Sequence, residues 1–257
     1  MSYKVVIPAR YASTRLPGKP LLEIDGKPMV QWVVESACRS GAEEVLVATD
    51  DARIAAAVSD PRHPERNIAL LTSADHASGT DRIAEVAHSR CWPDETIVVN
   101  VQGDEPHLPA VLIDQVAALL ANDFDADVAT LCMPITNLKD FLDPNVVKVV
   151  FTLEGAALYF SRAPIPWNRD GAAGDLTTQS VFAGAHRHIG IYAYRAKALK
   201  GLTRLVPTSL EVTEKLEQLR ALQSGMRIRV ALAAAIPGVG VDTEEDLQRA
   251  RNTVGKS

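Results

Sequence analysis

At 257 residues the chain is long enough for one large domain or two modest ones. With 47% hydrophobic and 23% charged residues it has the balance of a globular protein, which excludes disorder and a fibrous chain, and 27 Lys plus Arg against 32 Asp plus Glu leave a net charge of −5, which excludes a general nucleic-acid coat but not a local anion site. Cys38, Cys91 and Cys132 form no CxxC pair, the opening MSYKVVIPAR lacks a signal-peptide core, and no stretch approaches the roughly 18 apolar residues of a membrane helix, so a cytoplasmic protein with a small-molecule partner is expected.

YKVVIPA predicts a first strand, and RYASTRLPGKP behind it a loop dense in Pro, Gly and basic residues. A helix follows with Pro28 in its first turn and Val30, Val33, Val34 and Ala37 on one face, ending near Gly41. VLVAT (45 to 49) predicts a strand, ARIAAAV after Asp50 and Asp51 a helix, and NIALLT (67 to 72) another strand; this alternation implies a largely parallel sheet. A helix from near Thr80 buries Ile83, Val86 and Ala87 and leads into TIVVNV (96 to 101), the most apolar strand and therefore the expected centre. A helix at 109 to 121 and a strand at 127 to 134 follow. The texture then turns to VVKVVFT, ALYFS and HIGIYAY without long helices between, which predicts a second lobe at 135–195, flanked by a main lobe of 1–134 and 196–257. The segment 169 to 186 reads as a mobile loop, or in part as an arm onto a partner subunit. Leu210, Leu216, Leu219 and Leu222 predict one helical face, followed by a strand at 226 to 235 and a last helix from 244.

Arg10, Arg15 and Lys19 lie on the loop after the first strand, at the carboxyl edge of the expected sheet, where guanidinium forks, an ammonium and freed amides suit a polyphosphate; the alternative is a solvated basic loop. Gly18-Lys19 is followed by Pro20, which excludes a Walker A loop, and Gly238-Val239-Gly240 lacks the third glycine of a dinucleotide fingerprint. In NVQGDEP (100 to 106) Gly103 permits a tight turn and Asp104 offers a hard-cation ligand, Glu105 less so; a turn or cap is the alternative. Thr243 and Asp246 make a capping pair for the last helix, which leaves Asp242 free to share a metal with Asp104 or to be an ordinary loop aspartate. In DHASGTDR (75 to 82), Ser78, Gly79 and Thr80 serve either a nucleotide or a helix N-terminus. Arg162, Arg187, His188 and Tyr192, with Glu214 on the later helix, would together suit an acidic, hydroxylated substrate, although each alone has an ordinary structural role open to it.

The segments PARYASTRLPGKPL, ADHASGTDR, NVQGDEP, NVVKVV, YFSRAPIPW, RHIGIYAYR, EKLEQLR and GVDTEEDL occur in this order over nearly the whole chain. Together they resemble the 3-deoxy-manno-octulosonate cytidylyltransferases (CMP-Kdo synthetases) of Gram-negative bacteria. The resemblance implies an α/β, Rossmann-like nucleotidyltransferase fold with a mostly parallel central sheet flanked by helices. In it 1–134 and 196–257 bind nucleotide, and 135–195 forms a smaller β-rich lobe for sugar binding and dimerisation. It implies that CTP and Kdo are joined to give CMP-Kdo and pyrophosphate for lipopolysaccharide synthesis, with Mg2+ as cofactor, in a homodimer without nucleic-acid or membrane partners. By position, Arg15, Lys19, Asp104 and Asp242 match the catalytic set, and Asp104 and Asp242 the Mg2+ ligands. Ala9, Arg10, Arg15, Lys19, Ser78, Gly79 and Asp104 match nucleotide-binding positions, and Gln102, Arg162, His188, Tyr192 and Glu214 sugar-binding ones. The alternatives are a cytidylyltransferase for another acidic sugar, sialic acid or an amino-substituted Kdo, and a catalytically silent nucleotide sensor; Arg15, Lys19, Asp104 and Asp242 speak against the sensor.

Overall fold

The computed structural model describes residues 1–12, 16–171 and 175–254. The elements in chain order are β1 (Lys4–Ala9), β2 (Glu23–Ile24), β3 (Lys27–Pro28), α1 (Met29–Cys38), β4 (Glu44–Thr49), α2 (Ala52–Ala56), β5 (Ala69–Leu71), α3 (Gly79–Ser89), β6 (Ile97–Asn100), α4 (Ala110–Ala121) and β7 (Val128–Pro134). They continue with α5 (Leu138–Leu142), β8 (Lys148–Phe151), β9 (Ala157–Ser161), β10 (His186–Arg195), α6 (Ala196–Leu202), α7 (Ser209–Glu214), α8 (Gln218–Gln223), β11 (Ile228–Leu232) and α9 (Glu244–Val254).

Among the described residues the main sheet has nine strands, in the order β11-β7-β10-β6-β1-β4-β5, with β8 paired to β10 and β9 to β8. β1, β4, β5 and β6 run parallel, as do β7 and β11, while β10 runs antiparallel between β6 and β7. The expected α/β fold with a mostly parallel sheet is therefore present, and TIVVNV supplies the middle strand of the seven-strand path as its apolarity predicts.

Strand alternation divides the core into two layers. Val5, Ile7 and Ala9 of β1 pack with Val30, Val33 and Val34 of α1 and Leu112, Ile113 and Val116 of α4 on one face. Val6 points the other way, to Ile83 and Val86 of α3 and Leu199 of α6. Each fully buried aliphatic side chain contributes roughly 1.5–3 kcal/mol relative to exposure, so the Val- and Ile-rich central strands fix the register by burial on both faces.

Two expectations are modified, and the sheet adds one observation on the β-rich stretch. The Leu face at 210–222 is two short helices, α7 and α8, because Lys215 adopts a left-handed conformation (φ 54) between them. The strand at 67–72 is only three residues long. The β-rich stretch 135–195 supplies the β8–β9 hairpin, but its last strand, β10, enters the middle of the main sheet, so one sheet runs from the flanking segments into this stretch without a break. The reason lies in HIGIYAY: Ile189, Ile191 and Ala193 feed one core layer and Tyr192 and Tyr194 the other, and a strand apolar on both faces belongs inside a sheet. The segment 169–186 includes residues outside those described.

A small ribbon, β2–β3, turns at Asp25 and Gly26, both with positive φ, which is the Asp-Gly hairpin signal. Ile24 of this ribbon packs with Leu16, Met29, Val241, Leu247 and Ala250, so α9 folds back onto the N-terminal part of the chain. Arg251 Nε closes the contact by donating to the Glu23 carbonyl at 3.0 Å.

Candidate active site

The chain runs from β1 outward through β4 and β5 and then returns to β6 on the other side of β1, so the strand order reverses between β1 and β6. In open α/β sheets ligands bind at the carboxyl ends of the strands flanking such a reversal. Here the loops after β1 and β6 form a cleft lined by Ala9, Arg10, Lys19, Gln102, Gly103 and Asp104, with Ser78, Gly79 and Arg82 on one side and Asp242 on the other.

Gly103 allows the two loops to meet: a Cβ there would stand 2.8 Å from the Pro8 carbonyl oxygen. Asp104 follows at once, and its carbonyl accepts from the Val241 amide at 2.9 Å, which brings in the segment before α9. That segment is held by the expected capping pair, in which the Thr243 hydroxyl accepts from the Asp246 amide at 3.2 Å and Asp246 accepts from the Thr243 amide at 3.0 Å. The Asp242 carboxylate is left to face the cleft. Lys19, on a short turn after Gly18, donates to Asp104 Oδ2 at 2.6 Å and to Asp242 Oδ1 at 3.0 Å.

Two carboxylates separated by 138 positions in the sequence thus share one ammonium. Among the described residues no cluster of three or more His, Cys, Asp or Glu could hold a metal by itself. A pair of carboxylates is nevertheless the protein share that Mg2+ usually takes, because this ion keeps waters and substrate phosphates as its remaining ligands. The Lys19 contact shows that the pair already holds a positive charge between its oxygens, so the residues fit the ion.

Glu105 lies beneath them. Burial, reinforced by the charge of Asp104, raises its pKa to about 7, and Oε2 has no hydrogen-bond partner. On the opposite wall Ser78 caps α3 in a reciprocal box with Asp81, and its hydroxyl also reaches Glu217 at 3.1 Å, while the Thr80 hydroxyl donates to the other Glu217 oxygen at 2.9 Å. Arg82, one turn along, is buried and oriented by Asp50 at 2.9 Å and by the Thr72 hydroxyl.

The structure therefore brings together Ala9, Arg10, Lys19, Ser78, Gly79, Gln102, Asp104 and Asp242. Arg15 lies outside the described residues. Arg162, His188, Tyr192 and Glu214 are not in the lining of this cleft. The Arg162 guanidinium donates to the carbonyls of Glu214 (2.6 Å) and Pro144 (2.8 Å), and the Glu214 carboxylate accepts from the Ser161 hydroxyl and the Arg162 amide. His188 bonds Thr130 at 2.9 Å and meets the edge of Phe160, and burial pulls its pKa down to about 3. Tyr192 is buried between His188 and Tyr194. Arg82 and Glu217 escaped the sequence reading. Arg82 carried a signal, four residues after Ser78 on the same helix, whereas nothing local marks Glu217. Cys38 and Cys132 are buried with their thiols pushed up to about 12 by that burial, so neither is an activated nucleophile.

A basic loop facing paired carboxylates at the switch point of an α/β sheet defines an enzyme of the nucleotidyltransferase class, which works by positioning and charge neutralisation. A family model described as "Cytidylyltransferase" matches residues 4–228. Two proteins named 3-deoxy-manno-octulosonate cytidylyltransferase are similar over nearly their full lengths. That of Thioalkalivibrio sulfidiphilus is 55% identical over 249 residues, covering 97% of both chains. That of Idiomarina loihiensis is 53% identical over 255 residues, covering 99% of both. A solved CMP:2-keto-3-deoxy-manno-octonic acid synthetase complexed with CTP superposes with a TM-score of 0.87 at 41% identity, over 99% of this chain and 98% of that one. A cytidylyltransferase from Leptospira borgpetersenii shares the fold alone, with a TM-score of 0.61 at 16% identity over 100% of this chain and 87% of its own. The chain belongs to the 3-deoxy-manno-octulosonate cytidylyltransferase family.

Proposed function

We propose that the chain activates 3-deoxy-D-manno-octulosonate with CTP, giving CMP-Kdo and pyrophosphate for lipopolysaccharide synthesis. The observation that carries the chemistry is the convergence of Asp104 and Asp242 on Lys19 at the mouth of β1 and β6. The relatives carry the choice of substrates.

In this reading the anomeric hydroxyl of the sugar acid attacks the α-phosphorus of CTP in line and pyrophosphate departs. Arg10 and Lys19 bind the triphosphate and neutralise charge on the leaving group, a role that Arg15 shares by resemblance. Asp104 and Asp242 would hold Mg2+, which supplies charge to the α-phosphate and acidity to the attacking hydroxyl. Ser78 and Gly79 present the α3 N-terminus to the nucleotide, with Arg82 fixed behind them by Asp50. Gln102, in the cleft lining with Asp104, would meet the acceptor, a role it has by resemblance. The proposed assembly is a homodimer, a reading supported by the exposed Leu153, Leu158 and Trp167 in and after the β8–β9 hairpin. Among the described residues no helix is long and apolar enough to cross a membrane; we place the reaction in the cytoplasm, where CTP is available.

The test is Mg2+-dependent pyrophosphate release from CTP with Kdo, beside UTP with Kdo and CTP with sialic acid or amino-substituted Kdo. Release with CTP and Kdo in preference to the others is expected. Release with another acidic sugar instead would keep the cleft chemistry and overturn the acceptor, and CTP binding without release from any pair would indicate a sensor.

A further inference from the structure

β4 leads into two adjacent aspartates, Asp50 and Asp51, and neither lines the cleft. Both are turned to cations and amides instead. Asp51 caps α2 by accepting from the Arg53 amide at 2.8 Å, and its two oxygens also take Nε (3.0 Å) and Nη2 (2.6 Å) of the same residue. The guanidinium plane is fixed by this fork, and it lies over the Tyr11 ring with Cζ 3.6 Å from the ring centroid. Asp50 reaches Tyr11 through the main chain: Oδ1 accepts from the Tyr11 amide at 3.4 Å while Oδ2 accepts from Arg82 at 2.9 Å.

Tyr11 also meets Gly18. Its carbonyl accepts from the Gly18 amide at 3.3 Å, and a Cβ on Gly18 would stand 3.1 Å from the nearest ring carbon and 3.2 Å from the hydroxyl. Gly18 has φ 65, so the close approach and the left-handed turn both call for glycine at this position. One aromatic ring thus touches the Arg53 plane and the Gly18 backbone. Arg10 directly precedes Tyr11, Lys19 directly follows Gly18, and both cations line the cleft. The contact of Tyr11 with Gly18 therefore sets the separation of the two backbone points from which these cations reach out.

We propose that Tyr11 is a positioning residue for the triphosphate side of the cleft: gripped by Arg53 and seated on Gly18, it holds Arg10 and Lys19 at the spacing at which both meet the phosphates. The assignment rests on the proposed function, which gives these two cations to the triphosphate. Arg53 is not in the cleft lining and acts only through the ring. Cations whose backbone is already in place lose less freedom when the nucleotide binds, so the clamp acts on CTP affinity and leaves the sugar acid untouched.

Calorimetric titration of CTP without metal, and steady-state kinetics with CTP and Kdo varied in turn, test it. In Tyr11→Ala the Kd and KM for CTP should rise about tenfold or more, while the KM for Kdo stays within about threefold. Tyr11→Phe keeps the ring and should stay within about threefold of the wild type for both substrates. Arg53→Ala should weaken CTP binding about two- to fivefold, the scale of a cation–π contact at a partly exposed site. The double variant Tyr11→Ala with Arg53→Ala should be no worse than Tyr11→Ala alone, because the guanidinium then has no ring to hold. If Tyr11→Ala fails to fold, Arg53→Ala carries the test, since that side chain is exposed. Equal losses for both substrates, a Tyr11→Phe as poor as Tyr11→Ala, additive losses in the double variant, or unchanged CTP binding would overturn the proposal. A wild type that binds CTP but releases no pyrophosphate with Kdo would instead overturn the substrate reading and leave the CTP titrations to decide the clamp, so the two failures are distinguishable.

Discussion

The amide of Val241 donates to the carbonyl of Asp104 across 2.9 Å, and this one main-chain bond places the residue before Asp242 against the residue that bears the other carboxylate. The pair is therefore set by backbone geometry, and Lys19 completes it from a third segment. A backbone-set pair holds its spacing better than one reached by two flexible side chains.

Replacing either carboxylate by its amide should expose the role of the pair. Asp104→Asn and Asp242→Asn are each expected to lower kcat by about 100-fold or more, the scale of removing one electrostatic contact from a transition state. CTP binding measured by calorimetry without metal should survive, because Arg10 and Lys19 remain. Near-full turnover of Asp104→Asn at saturating Mg2+ would remove that residue from the metal site.

Gly238 controls the approach of the two loops. An added Cβ would stand 2.5 Å from the His107 Cβ and 2.9 Å from its carbonyl oxygen, so the backbone must move. Gly238→Ala should cost about 1–3 kcal/mol, as overpacking does, and raise the Mg2+ concentration needed for half-maximal rate. Thermal melts and Mg2+ titrations check the two effects separately; a variant unchanged in both would mean that the loop is not under this constraint.

The cap of α9 is predicted to matter beyond stability. Asp246 accepts from the amides of Asp242 and Thr243 and from the Thr243 hydroxyl. Thr243→Val should cost about 1 kcal/mol, the usual loss of an N-cap, with little change in Mg2+ dependence. Asp246→Ala also frees the Asp242 amide and should weaken Mg2+ binding. Measured in parallel, identical Mg2+ curves for the two variants would contradict the second half of this prediction.

His188 gives stability a dependence on pH. The single Thr130 hydroxyl proton goes to the Ile191 carbonyl at 2.7 Å, so His188 Nε2 is the donor to Thr130, and the ring is neutral. Burial holds its folded pKa at about 3, against about 6.5 in the unfolded chain. Between these values the unfolded state binds the extra proton, so stability is lost as pH falls through that window, by about 2 kcal/mol at pH 5 from this residue alone. Denaturant melts at pH 7 and pH 5 should show a smaller acid loss for His188→Gln than for the wild type. Equal losses would mean that the ring takes its proton without unfolding.

Much of the site was legible because its signals are local. The capping pair Thr243 with Asp246 is a three-residue pattern, the helix start at Ser78 is equally local, and Lys19 and Asp104 stand in the loops that follow β1 and β6 while Asp242 directly precedes that last cap. Arg162 and Glu214 have the right chemistry for a sugar acid, and what no sequence window shows is that Arg162 also donates to the Glu214 and Pro144 carbonyls and that Glu214 also accepts from the Ser161 hydroxyl.

The sequence alone determined the α/β class, most helices and strands and the central place of β6, because periods of two and 3.6 residues, helix caps and the apolarity of a single run act within a few positions. The tertiary structure decided that β10 enters the sheet reversed, that Lys215 breaks the Leu-rich face, that α9 returns to the N-terminal ribbon, and that Glu217 reaches Ser78. Each of these joins segments remote in sequence or depends on such a junction, and the choice among pairings is made by which arrangement buries the most apolar surface while satisfying its polar groups, a property of the whole chain that no single segment contains.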